Sequence, residues 1–130
     1  MTEAETLYKK AESYRKSASV LADAGLWENA FEAAHLSVEI IMKAAISRVG
    51  GRYEWTHNLR ILAETPVNGA PFLSPVIRDT LEVSKTFTQI SSAWRVQYRY
   101  EQIPWNQAET QQLIESFERF YVWTTTKFVN

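Results

Sequence analysis

The sequence predicts an all-α fold, an up-and-down four-helix bundle with an additional short helix in the middle connection. Apolar residues recur at the 3.6-residue spacing of an amphipathic helix through most of the 130 residues. Capping residues, glycines and prolines fall where these stripes begin and end. No segment alternates apolar and polar residues over the length of a strand. Because the length fits one hydrophobic core, we expect residues 1–130 to form a single domain.

The first two stripes predict a pair of long helices. The first runs from about Thr2 to Ala24, and Thr2 with Glu5 reads as a capping box. Gly25 ends it, since glycine adopts the left-handed conformation of a helix C-terminus at low cost. The second runs from about Trp27 to Val49 and ends at Gly50-Gly51. Its first half carries small residues, which lets a neighbouring helix approach closely.

A short helix and a loop are predicted to follow. The short helix fits residues Thr56 to Glu64, with Thr56 as its N-cap. The stretch from Thr65 to Pro71 contains two prolines and a glycine, which rule out a continuous helix. We therefore expect an irregular connection there, with no strand longer than a stray pair.

Two further long helices complete the predicted bundle. Ser74-Pro75 is typical of a helix start, and the apolar period continues to about Tyr98. Asn106 with Glu109 gives the next capping signal. The last stripe ends near Phe128, and we expect the β-branched run 124–126 to be its fraying end.

The composition excludes several classes of site. Fourteen Lys and Arg against fifteen Asp and Glu give a net charge of −1, which excludes a strongly basic coat but not a local basic groove. With no cysteine, the chain has no disulfide, thiolate nucleophile or cysteine-ligated metal. The two histidines, His35 and His57, lie on separate predicted elements without ligand spacing. We expect no metal site and no cofactor.

The sequence also bears on location. No apolar run reaches the roughly 20 residues that span a bilayer. The first residues, Met1 to Glu5, are acidic and polar, unlike a secretory signal. We therefore expect a cytoplasmic protein that does not use a membrane as a partner.

Four segments, taken in chain order, are similar to one known family. Residues 14–25 resemble its first helix and turn, and residues 30–45 (AFEAAHLSVEIIMKAA) resemble its second helix. The run from His57 to Leu62 is similar to a His-x-Leu-x-x-Leu pattern in its short middle helix. The stretch from Arg95 to Tyr100 lies where the family has its basic motif. Together these segments resemble HEPN (higher eukaryotes and prokaryotes nucleotide-binding) domains over nearly the whole chain.

The resemblance implies a small helical bundle that usually dimerises. It implies either an RNA-cleaving toxin or defence nuclease, or a non-catalytic nucleotide- or RNA-binding module, often encoded beside a small nucleotidyltransferase. Nuclease members of the family have an arginine and a histidine separated by four to six intervening residues. Here Arg95 is followed at that spacing by Tyr100, and Arg99 by residues 104–106, none of them histidine. This departure predicts little or no nuclease activity.

Arg95, Arg99 and Tyr100 form the first candidate constellation and are the candidate catalytic residues. On a helix, residues four apart share one face, and guanidinium forks match the geometry of phosphate. Aromatic residues that could stack on bases interleave with these charges: Trp94, Tyr98, Tyr100 and Trp105. The alternative is an aromatic edge of the core, with the arginines paired to acidic residues such as Glu39 or Glu101.

Glu39 and Lys43 form the second constellation. They lie four apart on the second predicted helix, and His35 shares their face. One interpretation is a solvated polar stripe of weak ion pairs. The other places Glu39 in a cleft between helices, where it orients Arg95 or Arg99, as polar residues of this helix do in the family that the chain resembles.

His57 is expected to be a capping or packing residue at the start of the short helix, because a catalytic imidazole needs a partner that the sequence does not locate. The resemblance nevertheless adds it to the candidate site. The candidate nucleotide- or RNA-binding residues are Glu39, Lys43, His57, Arg95, Arg99 and Tyr100.

Aromatic residues cover more than one face of the last predicted helix. They are Phe117, Phe120, Tyr121, Trp123 and Phe128. Because a surface helix needs one apolar stripe, this coverage favours either a second subunit or a folded-back tail. The alternative is a thick core in a small protein. We expect a homodimer whose interface includes aromatic residues of the fourth and fifth helices.

The leading functional interpretation is a homodimeric nucleotide- or RNA-binding module of a prokaryotic toxin–antitoxin, defence or nucleotidyltransferase-partner system. Two alternatives stay open. One is a divergent metal-independent endoribonuclease toxin that uses Arg95, Arg99 and Tyr100. The other is a non-enzymatic subunit that docks a nucleotidyltransferase or another protein through its aromatic face.

Overall fold

The computed structural model describes residues 1–73 and 81–129, and in these ranges the all-α prediction is confirmed. Two long helices, a short helix, a small hairpin and two further helices follow each other along the chain. The helices are α1 (Glu3–Asp23), α2 (Trp27–Arg48), α3 (Leu59–Ala63), α4 (Leu81–Ser91) and α5 (Gln107–Thr124). The hairpin strands are β1 (Pro66–Val67) and β2 (Ala70–Pro71), and a 3₁₀ helix spans Val96–Arg99.

The helices α1 and α2 form an antiparallel pair, within one or two residues of their predicted bounds. The hydroxyl of Thr2 accepts a hydrogen bond from the backbone N–H of Glu5 at 3.1 Å, which is half of the predicted capping box. Gly25 has a φ of +77°, so the predicted left-handed helix stop is confirmed. Its N–H donates to the carbonyl of Ala22, and the next N–H donates to that of Leu21.

The short helix α3 begins later than predicted. Asn58, not Thr56, is its N-cap, because the Asn58 side chain accepts from the backbone N–H groups of Arg60 and Ile61. The connection that was predicted to be irregular contains a hairpin with two residues in each strand. This agrees with the prediction that no strand is longer than a stray pair. Asn68 and Gly69 form its turn with φ values of 52° and 82°, as the twist of a tight hairpin requires.

The fourth helix ends at Ser91, seven residues before the predicted end at Tyr98. The prediction was wrong because the chain tightens after Ser91, where the N–H of Ala93 donates to the carbonyl of Ile90 at 3.2 Å. The indole N–H of Trp105 donates to the carbonyl of Ala93 at 3.3 Å, where a continuing helix would place the N–H of Gln97. Arg95 is extended, with φ −132° and ψ 149°. The predicted start at Ser74-Pro75 lies outside the described residues.

The last helix begins as predicted. Asn106 and Glu109 form a complete capping box. At its end the chain continues from Thr124 into one π-helical turn, Thr125–Val129. The hydroxyls of Thr124 and Thr125 donate to carbonyls one turn earlier, so the β-branched run stays helical.

The core is organised around α2, which contacts α1, α3 and α5. Small residues line much of this helix, and Phe31 meets Phe117 of α5 at a ring-centroid distance of 5.9 Å. Phe117, Phe120 and Tyr121 are buried within the single chain. The thick-core alternative therefore explains these three aromatics without a second subunit. Within the described ranges, no helix combines the length and apolar character needed to cross a membrane.

Candidate functional site

A buried carboxylate lies at the centre of the site. Glu39 is only 3% exposed, and its oxygens lie 3.0 Å from Lys43 Nζ and 2.8 Å from His57 Nδ1. Lys43 follows one turn later on α2 and is also buried. The predicted solvated stripe is wrong, because the α3 connection and Trp94 cover this face of α2. Glu39 contacts no arginine among the described residues, so the interpretation in which it orients Arg95 or Arg99 is also wrong.

Glu39 is ionised at neutral pH. Burial alone would raise the pKa of its carboxyl, but the contacts with His35, His57 and Lys43 outweigh burial and lower that pKa to about 2. Lys43 and His57 bind the buried charge from two sides, and the ring of His35 lies beside it.

His35 completes the cluster from one turn earlier on α2. Its ring is 2% exposed, stacks on Trp94 at a centroid distance of 4.3 Å, and places Nε2 3.4 Å from the carboxylate of Glu39. That contact falls outside hydrogen-bonding geometry, so both ring nitrogens lack a hydrogen-bond partner within the described ranges. Burial lowers the pKa of His35 despite the nearby carboxylate. His35 is therefore neutral at pH 7.

His57 connects this buried cluster to the surface. Its side chain is 47% exposed, and Nδ1 faces the carboxylate of Glu39. An ionised carboxylate only accepts hydrogen bonds, so in the neutral imidazole the proton lies on Nδ1 and Nε2 is the basic nitrogen. Of the predicted capping or packing roles, capping is wrong because Asn58 caps α3, whereas the ring of His57 packs edge-on against Trp94 at a centroid distance of 5.9 Å.

A polar cleft of about 410 Å³ lies beside His57. It is formed by the start of α3, the end of α4 and the extended segment before the 3₁₀ helix. Its lining carries two arginines and no carboxylate: Thr56, His57, Asn58, Arg60, Ser91, Ser92, Trp94, Arg95, Val96 and Gln97. The guanidinium of Arg60 donates to the hydroxyl of Ser91 at 3.3 Å. Neither Arg60 nor Arg95 forms an ion pair with a carboxylate of the described residues.

The other two predicted residues of the basic stretch lie elsewhere. Because the segment is not α-helical, Arg95 and Arg99 do not share a helix face. Arg99 donates to Glu32 at 2.9 Å and lies over the ring of Trp94, with Cζ 5.4 Å from its centroid. Tyr100 is 88% exposed and does not line the cleft. The predicted pairing of the arginines with Glu39 or Glu101 is replaced by the Arg99–Glu32 pair.

A larger groove of about 950 Å³ lies between α1, α2 and α5. Its lining combines four carboxylates with three cationic side chains, and one of these, Arg15, is paired with Glu118 and Glu12. The smaller cleft is the stronger candidate for an anion, because its lining has cations without acidic partners.

Comparison with family models gives a match to the HEPN domain over residues 4–127. The chain belongs to the HEPN domain family. Searches of curated proteins and of solved structures each returned no match. The resemblance that the residues of α1, α2 and α3 indicated is therefore confirmed at the level of the family.

In this HEPN domain, the sequence located part of the site and missed part of it. It indicated Glu39, Lys43, His57 and Arg95, which the fold brings to one region. It did not single out Arg60 or Trp55. The signal for Arg60 was present, because it lies inside the His57–Leu62 run. Trp55 is 90% exposed, and exposure of a tryptophan has no local sequence signature.

The described part of this HEPN domain contains no cluster of side chains suited to bind a metal ion. No group of three His, Asp or Glu side chains is placed there to hold a metal ion. The Glu39 cluster contains two histidines and a carboxylate, but the ammonium of Lys43 lies 3.0 Å from one carboxylate oxygen. A cation at Glu39 would be repelled by Lys43.

We expect the stability of this HEPN domain to fall between pH 7.5 and 5.5, and His35→Phe to reduce that fall. Since folding lowers the pKa of His35, the unfolded chain binds a proton first as the pH drops below about 6.5. One such proton costs up to about 1.4 kcal/mol per pH unit. The folding-induced drop in the pKa of Glu39 adds a loss only below about 4.5. Urea unfolding at several pH values measures how the free energy of unfolding changes with pH. An unchanged pH dependence in His35→Phe would contradict the claim that His35 causes the fall.

Proposed function

We propose that this HEPN domain binds the phosphate groups of a nucleotide or RNA in the cleft beside His57, with little or no nuclease activity. The observation that carries the proposal is the pair Arg60 and Arg95 on a cleft that has no carboxylate in its lining. Guanidinium groups bind phosphate with two parallel hydrogen bonds, and the hydroxyl of Ser92 adds a donor. A volume of about 410 Å³ is in the range of small-ligand sites.

We further propose that the protein acts in the cytoplasm of a prokaryote, in a toxin–antitoxin, defence or nucleotidyltransferase-partner system. Membership of the HEPN family supports this proposal in general terms. A small nucleotidyltransferase encoded next to this chain would favour the partner role. Co-purification of the two expressed proteins would test the alternative of a non-enzymatic interaction subunit.

The proposed binding is tested by titrating the protein into a fluorescently labelled single-stranded RNA at two salt concentrations. Phosphate binding through arginines releases counterions, so we expect affinity to fall as salt rises. Binding that is absent at low salt, or that does not respond to salt, would refute a phosphate site. A labelled mononucleotide tested in parallel separates the two ligand classes.

A second candidate function, metal-independent RNA cleavage, is favoured by the Glu39–His57 pair. The carboxylate holds Nδ1–H, which leaves Nε2 of His57 as a general base at the half-exposed edge of the cleft. In the reaction, Nε2 takes the proton of a ribose 2′-hydroxyl, and that oxygen forms a bond to phosphorus. The bond from phosphorus to the 5′ oxygen breaks, and the leaving oxygen takes a proton from water.

If the protein cleaves RNA, we expect His57→Gln to slow cleavage by roughly 10²–10⁴-fold, the usual contribution of a general base. Binding should change little, since glutamine can still donate to Glu39. Cleavage is followed on a labelled oligoribonucleotide with metal chelated, and Tyr100→Phe is the matched control. No cleavage by the wild type would favour the binding-only function, and equal cleavage by His57→Gln would exclude the His57 mechanism.

We also propose a homodimer that uses the outer faces of α4 and α5. An apolar groove of about 470 Å³ lies between them, with Val83, Val122 and Trp123 in its lining. Val122 is 45% exposed, so its replacement leaves the core intact. We expect Val122→Glu to shift the mass in light scattering from dimer to monomer. The control is Val20→Glu, which changes an exposed side chain of α1, and this variant should stay dimeric. A monomeric wild type at tens of micromolar would contradict the dimer.

A further inference from the structure

The indole of Trp55 is unusually exposed. At 90%, it is the most exposed large hydrophobic side chain among the described residues. Tryptophan is highly buried on average in folded proteins, because exposing its ring to water is unfavourable. An exposed indole that is also fixed in position therefore points to a ligand that covers it.

Trp55 is held in place by its neighbours. Its ring meets that of Tyr53 edge-on at a centroid distance of 5.9 Å, and Lys43 Nζ lies 5.9 Å from the Trp55 centroid. The hydroxyl of Tyr53 in turn donates to Glu3 of α1 at 2.7 Å. Lys43 is fixed by Glu39 at 3.0 Å. These two contacts lie on part of the indole and leave most of its surface open to a ligand.

The position of Trp55 is at the edge of the arginine cleft. The three residues that follow it, Thr56 to Asn58, all line the cleft. Two extended residues span at most about 7 Å, so the Trp55 backbone lies within that distance of His57. Trp55 therefore directly precedes, along the chain, the residues that form one wall of the cleft.

We propose that Trp55 is a stacking platform for a base of single-stranded RNA whose phosphates bind in the cleft lined by Arg60 and Arg95. This inference rests on the proposed function and names the subsite that the function leaves open. Base stacking on an aromatic ring tolerates any sequence, because every base has a π-face. Bases in a duplex are already stacked on each other, so the platform selects single strands.

The surroundings of Trp55 fit a base better than a protein surface. Arg52, Glu54 and Asn58 are all exposed, and Thr56 is partly exposed. A protein interface has an apolar centre of several residues, whereas here Trp55 and the partly buried Tyr53 stand among polar side chains. A single nucleobase covers one ring and leaves the polar neighbours in water.

The test compares two replacements of Trp55 on two probes. Trp55→Leu keeps an apolar side chain without a ring, and Trp55→Phe keeps a ring. The probes are a short single-stranded RNA and an abasic oligoribonucleotide of equal length. We expect Trp55→Leu to bind the RNA roughly 5- to 100-fold more weakly, the range for loss of one stacked base. Trp55→Phe should retain most of the affinity, and neither variant should change binding of the abasic probe.

Each other outcome overturns the inference in a recognisable way. An unchanged affinity of Trp55→Leu for RNA, or an equal loss on the abasic probe, removes the stacking role. A changed mass of Trp55→Leu in light scattering shows a subunit contact instead. If the wild type binds neither probe, the proposed phosphate site fails as well. If binding needs Arg60 and Arg95 but not Trp55, the phosphate site stands and the platform alone is refuted.

Discussion

Replacement of Arg60 and Arg95 together by alanine is expected to weaken binding of short single-stranded RNA by roughly 10- to 100-fold, as loss of charge-assisted hydrogen bonds does. Both guanidinium groups line a cleft without a carboxylate, so they are available to an anionic ligand. For single strands, each lost phosphate contact reduces the dependence of log affinity on log salt by about 0.7. The double variant should therefore bind more weakly and respond less to salt.

The control Arg119→Ala removes one positive charge from α5, outside the lining of this cleft, and is compared with the single variant Arg95→Ala. It should leave both affinity and salt slope close to those of the wild type. Arg99→Ala should have a smaller effect than Arg95→Ala, because the guanidinium of Arg99 is already paired with Glu32. Equal losses of affinity in Arg95→Ala and in Arg119→Ala would show that only net charge matters and would contradict the cleft.

Glu39→Gln is expected to destabilise the fold by about 3 kcal/mol or more, since it leaves a buried cation without its counterion. Lys43 is only 7% exposed and lies 3.0 Å from the carboxylate, and the one amide oxygen of glutamine cannot replace both carboxylate oxygens that contact Lys43 and His57. Urea unfolding at pH 7 and fixed protein concentration measures the change. The control Glu32→Gln breaks the exposed pair with Arg99 and should cost no more than about 1 kcal/mol.

A second variant separates charge burial from loss of shape. Glu39→Gln combined with Lys43→Met removes the unpaired ammonium and should recover part of the lost stability. If the single variant costs as little as Glu32→Gln, the buried network contributes nothing and the account of Glu39 is wrong. If the double variant is no better than the single one, the cost comes from packing rather than from charge.

The long helices could be predicted from sequence because their signals are local. Thr2, Gly25 and the Asn106–Glu109 box set helix ends through side chains and backbone within a few residues. The end of α4 could not be predicted in this way. Beyond this end, the indole N–H of Trp105 donates to the carbonyl of Ala93 from twelve residues away, and no periodicity reports that contact.

The candidate site was likewise predictable from sequence only in part. Glu39, Lys43 and His35 share one face of α2 by spacing alone, but that spacing does not say whether the face is buried or exposed. The structure buries it under Trp94, which stacks on His35. Arg95 and Arg99 were predicted on one face because the period continues past Ser91 in the sequence. The cleft of Arg60 and Arg95 exists only because the helix stops there.

The central claim is that the cleft between the start of α3 and the end of α4 is where the ligand binds. The most direct test is to follow backbone amide signals of ¹⁵N-labelled protein by NMR while adding a short single-stranded RNA. The account predicts that the largest shifts fall in residues 55–60 and 91–97, which include Trp55, Arg60 and Arg95. Largest shifts in the groove between α1, α2 and α5, around Arg15 and Arg119, would contradict it.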